Sequence, residues 1–183
     1  MRWYHLIGIV VIVAVCLIIY IQQYKSNNQS ALRTNPYDEL RSQVFETSPE
    51  TIGIEAKAGQ PYAVLMEIGF SEGVATLVSY IDGNASLYLS SGGGVIGGFA
   101  HENVRKTAIN FVSNSKEYIS KMEIANSYPL PQPGYVRFYV LTKEGVYSIE
   151  DKEQGIQEGN DFTPLYTCGQ NVITELRKIS EKT

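Results

Sequence analysis

The run YAVLMEIGFSEGVATLVSYIDGNASLYL, residues 62–89, decides the fold. Its first nine residues form a short apolar stretch of strand-like composition. Ser71, Glu72 and Gly73 supply a turn. Residues 74–81 (VATLVSYI) follow as a second strand with β-branched residues spaced along it. Asp82, Gly83 and Asn84 then make a hairpin turn, because Asp and Gly tolerate the backbone angles a tight reversal demands. Residues 85–89 give a third strand. Three strands joined by two short turns predict an antiparallel meander.

Working outward, residues 103–124 place Val104, Ala108, Phe111, Val112, Ser115, Tyr118, Ile119 and Met122 at steps of three and four. That spacing predicts a helix with one apolar stripe against the sheet. The three prolines of YPLPQPG, residues 128–134, require an extended connection. Residues 135–142 (YVRFYVLT) and 146–149 predict two further strands around a Lys143-Glu144-Gly145 turn. Residues 151–161 are acidic and read as a solvated loop. A last helix runs from Thr163 and Pro164 to about Ile179, its apolar face carrying Leu165, Cys168, Val172, Leu176 and Ile179. Upstream, Asn35 and Pro36 supply an N-cap and a first-turn proline for a helix to Phe45, with Tyr37, Leu40 and Val44 in helical register. The predicted order is α-βββ-α-ββ-α. It describes an α+β domain with a mainly antiparallel five-stranded sheet, profilin-like by analogy of architecture.

Before that domain stands LIGIVVIVAVCLIIYI, residues 6–21, free of charge and flanked by Trp3, Tyr4, Tyr20 and Tyr24. A bilayer core of ~30 Å needs ~20 helical residues, and aromatic residues suit its two interfaces. Residues 1–24 therefore predict a single-pass transmembrane anchor, in contact with lipid through residues 3–24. No small-residue cleavage site follows Ile21, which argues against a removed signal peptide. Residues 25–34 read as a polar linker and residues 35–183 as the soluble domain. Basic residues are nearly balanced across the segment, so they leave the side of the membrane open.

The chain carries 15 basic and 19 acidic residues. Arg2, Lys25 and Arg33 precede residue 35 and no acid does, so the domain holds 12 basic against 19 acidic residues, a net −7. That charge excludes nucleic acid as an expected partner. A protein partner or a small anionic ligand remains open. Thirteen tyrosines, among them Tyr88, Tyr135, Tyr139, Tyr147 and Tyr166, lend some support to a binding surface.

No catalytic, metal or cofactor signature emerges. The one motif with chemical potential is SSGGGVIGG, residues 90–98, where Gly92 to Gly97 satisfies G-x-G-x-x-G. Such loops bind phosphate when bare amides converge with a helix N-terminus. Here the preceding strand belongs to a meander, not to a parallel βαβ unit, and no acid-ended strand follows. The competing reading gives the glycines to backbone geometry alone. The candidate ligand-binding set is Ser90, Ser91, Gly92, Gly93, Gly94, Gly97, His101 and Arg105. A hydrolase or transferase using His101 with a serine or with Cys168 is a weaker alternative, since Cys168 falls on the apolar face of the last helix and neither serine has a nucleophile elbow. Glu67, an acid within an apolar strand, reads either as solvent-facing or as a buried functional group.

The segments of residues 67–98, 101–106 (HENVRK), 128–142 and 164–177 (PLYTCGQNVITELR) together resemble an uncharacterised family of small bacterial proteins, over residues 62–177. The resemblance implies no activity. Members of that pattern lack the N-terminal anchor, which tilts the expected location of the domain toward the cytoplasm. The function expected at this level is a membrane-tethered binding or interaction module, with a phosphate-ligand sensor as the alternative.

Overall fold

The structure, a computed structural model, describes residues 36–181. The chain runs α1 (Pro36–Glu46), β1 (Ala63–Phe70), β2 (Gly73–Tyr80), β3 (Ala85–Leu89), β4 (Gly94–Val95), α2 (Glu102–Ser115), β5 (Glu123–Ile124), β6 (Tyr135–Thr142), β7 (Gly145–Lys152), α3 (Glu153–Glu158) and α4 (Thr163–Ser180). Single 3-10 segments, Gly98–Ala100 and Lys116–Lys121, flank α2. One sheet contains all the described strands in the order β4-β3-β2-β1-β6-β7-β5, and each neighbouring pair is antiparallel.

The central strand explains the opening stretch of sequence. β1 is buried on both faces, so it is nearly continuously apolar rather than alternating. Val64, Met66 and Ile68 face one core with Phe138 of β6, Phe111 of α2 and Leu165, Val172 and Leu176 of α4. Ala63 and Leu65 face a second core with Val78, Tyr139, Leu141 and Val44 of α1. The sheet is thus covered by α2 and α4 on one side and by α1 on the other. At the Asp82 hairpin, the aspartate carboxylate accepts the Asn84 backbone N–H at 2.8 Å and its side-chain amide at 2.7 Å.

The domain is α+β, but two expectations need correction. First, the sheet has seven strands, not five. The additional ones, β4 and β5, are two residues long and cap the two sheet edges. Such stubs are too short to show period-two patterning. The predicted helix over residues 103–124 stops at Ser115, where the chain tightens into the 3-10 segment Lys116–Lys121, and its last part supplies β5. The acidic stretch after Asp151 also contains a short helix, α3, seated by one wholly buried residue, Ile156.

Second, the predicted membrane anchor at residues 1–24 lies outside the described residues. Among the described residues no helix is long and apolar enough to cross a bilayer. The longest, α4, carries Glu175, Arg177 and Lys178, and its apolar side is spent on the core. Single-pass membrane placement therefore has no support in the structure, and the choice of side for the domain, which presupposed it, falls with it.

Candidate functional site

The glycine-rich segment is a hairpin rather than a phosphate cradle. Gly92 N–H donates to the Leu89 carbonyl at 2.9 Å, and Leu89 N–H donates to the Gly93 carbonyl at 3.1 Å. Gly92 and Gly93 adopt φ of +104° and +84°, the left-handed region that a tight reversal requires. Ser90 fastens the hairpin to β2: its Oγ accepts the Val74 N–H at 2.8 Å, and its own N–H donates to the Val74 carbonyl. A side chain on Gly94 would run into the Leu87 carbonyl oxygen of the paired strand. A 3-10 turn, with Gly97 at its start, separates the loop from α2. The loop amides therefore do not lead into the helix N-terminus as anion sites of this type do.

The other expected site residues are dispersed. Ser91 is exposed on the hairpin tip. His101 stands at the N-cap of α2, makes no side-chain cap, and lines a cavity of about 530 Å³ with Glu102, Asn103, Glu175 and Lys178. Arg105 stacks on the Phe99 ring, 5.0 Å from its centroid, and packs against Gly83. Among the cavities described, those of the glycine loop and of the helix start are separate.

Gly94 alone belongs to a larger cleft of about 560 Å³. That cleft opens between α4 and the sheet corner formed by β1 to β4. Its floor is Ile68, Ala75, Leu87 and Val95, with Phe70 and Leu89 exposed at the rim. Tyr166, Gln170, Ile173 and Arg177 of α4 make the opposite wall. Of these positions the sequence singled out Tyr166 alone, among its tyrosines, because the others read as ordinary core or helix surface. The far side of the hairpin bounds a smaller cavity of about 330 Å³ with Tyr37, Leu40 and Tyr88, beneath α1.

Beneath α1 a polar row crosses the apolar sheet. Register aligns Tyr88, Thr76, Glu67, Arg137 and Glu150 on five adjacent strands. Glu67 is wholly buried, so its solvent-facing reading is excluded. Arg41 of α1 reaches it with two parallel bonds, Nε to Oε1 at 2.6 Å and the terminal nitrogen to Oε2 at 2.9 Å. Thr76 donates to the same carboxylate at 2.9 Å, so Tyr37 donates in turn to Thr76 at 2.8 Å. Burial pushes the Tyr37 and Tyr139 phenols up to about 12, so both stay neutral beside the ion pair at ordinary pH. A carboxylate with every oxygen engaged is a structural anchor, not a free acid or base.

Cys168 and His101 do not form a dyad. The thiol lies 3.6 Å from the Asn110 amide and 3.9 Å from that of Asn114. Asn110 is nine residues beyond His101, or ~13 Å along the helix axis. Burial pushes the Cys168 thiol up, partly offset by the Asn110 hydrogen bond. Iodoacetamide at neutral pH is accordingly expected to modify Cys168 more slowly than free cysteine, read by peptide mapping. A rate equal to that of free cysteine would contradict this placement.

Set beside family models, curated proteins and solved structures, the chain finds no match in any of the three.

Proposed function

We propose that the domain works by binding a small, largely apolar ligand in the cleft between α4 and the β1–β4 corner. The observation that carries this reading is the cleft's composition and size. Its floor is the border of the main core at Ile68, Ala75, Leu87 and Val95, and about 560 Å³ lies within the usual range for small-molecule sites. Polar groups line the α-helical side, Tyr166, Gln170 and Arg177 on α4 with Glu153 of α3 and Glu181 at the two ends. The glycine hairpin contributes the rim through Gly94 and leaves its serines to hold the loop in place.

The test uses the full chain and the neutral dye Nile red, whose emission rises in apolar surroundings. Two substitutions fill the cleft from opposite walls, Ala75→Phe on the sheet and Ile173→Trp on the helix. Each is expected to remove at least about half of the dye signal while circular dichroism stays unchanged, since enclosed apolar area dominates such binding. The filling variants separate dye in the cleft from dye held elsewhere on the chain. Signal unaffected by both, in folded protein, would overturn the reading.

A further inference from the structure

Resting on that reading, we infer that the cleft takes a ligand with an apolar body and a carboxylate head, and that Arg177 receives the head. Tyr166, Gln170, Ile173 and Arg177 follow one another at four, three and four residues on α4. They form a single stripe along the cleft wall, ~16 Å from end to end at 1.5 Å per residue. One end carries a carboxylate alone, and the other a guanidinium with the Glu181 carboxylate one turn away. At the Tyr166 end stands Glu153, whose carboxylate accepts the Tyr166 hydroxyl at 2.7 Å and the Gln157 amide at 3.1 Å. It is an anion already engaged, and it repels a second one. At the other end Arg177 forms no ion pair among the described residues.

Glu181, one helical turn further, also lines the cleft but lies beyond ion-pair distance of Arg177. The guanidinium fork therefore keeps its donors available, and the geometry it matches best is a planar carboxylate. Between the ends Ile173 faces Ile68 and Leu87 across the cleft, a surface for a hydrocarbon chain or ring. A guanidinium unpaired among the described residues at one end and an engaged carboxylate at the other thus favour one orientation. The acid head lies at Arg177 and the apolar tail points toward Tyr166.

Octanoate and 1-octanol share a tail and differ in head group, so they test this directly. Each is titrated against Nile red bound to the full chain, for the wild type and for Arg177→Met, Arg177→Gln and Lys178→Met. Lys178 lies outside the cleft and controls for overall charge. Replacing Arg177 is expected to weaken octanoate about tenfold relative to octanol, the usual worth of a charge-assisted hydrogen-bonded pair. Lys178→Met is expected to leave the ratio unchanged. Both competitors displacing cleft-bound dye with a ratio indifferent to Arg177 would overturn the carboxylate inference and leave the cleft intact. A dye signal indifferent to the cleft-filling variants, with no competition by either compound, would overturn the cleft and the inference together.

Discussion

Arg41→Met is expected to lower the unfolding free energy by about 3–5 kcal/mol, the usual cost of removing one partner of a buried ion pair. Glu67 has no exposed surface and Arg41 is only 13% exposed. Without the guanidinium, the carboxylate keeps Thr76 as a donor and stays charged in an apolar setting, takes up a proton, or loses its cover as α1 lifts. Each route costs free energy, and a domain's total stability is only about 5–15 kcal/mol. Glu67→Leu is expected to cost less, because a partly exposed arginine can swing its head into water. The double variant Arg41→Met/Glu67→Leu is expected to lie close to wild type, since well-packed apolar replacements of a buried pair are often neutral. Urea unfolding followed by circular dichroism measures all three. Hydrogen exchange at Tyr37 to Val44 shows whether α1 opens before the rest. A loss below about 1 kcal/mol for Arg41→Met would mean that the pair does not seat α1.

The ion pair also shows where reading along the chain stops. The hairpins were legible because Ser71 to Gly73, Asp82 to Asn84 and Lys143 to Gly145 are local chemistry. The α1 helix was legible from Asn35 and Pro36, and Tyr37 and Val44 of its expected face are buried. The part-buried Arg41 between them was not foreseen, because its place is decided by Glu67, 26 residues away. The glycine motif misled in the opposite way. Its spacing matches a phosphate loop, yet what each glycine satisfies is a reversal or a close strand approach. The cleft was invisible because Ile68, Ala75 and Leu87 are core residues and Ile173 packs against them, so all four read as core although they border an opening. Coverage is a property of the packed elements and leaves no mark in the sequence.

Phe111→Ala is expected to cost about 3–5 kcal/mol, as large-to-small changes in well-packed cores do. Its ring is fully buried where α2, the sheet and α4 meet. The neighbouring Gly169 makes a sharper test possible. A methyl group on Gly169 would stand 2.6 Å from the Met66 sulfur and 3.3 Å from the Phe111 ring. In the wild type, Gly169→Ala gains about 1 kcal/mol of helix propensity and loses about 1–3 kcal/mol to crowding, so a small net loss is expected. In the Phe111→Ala background the space left by the ring lets Met66 move aside. The crowding disappears, the propensity gain remains, and Gly169→Ala is expected to become stabilising by about 1 kcal/mol. The change of sign, read from urea midpoints of the four proteins, isolates the close approach of α4 to the sheet from the general cost of losing an aromatic ring. Equal effects of Gly169→Ala in both backgrounds would show that glycine at this position is not there to let α4 sit against Met66 and Phe111.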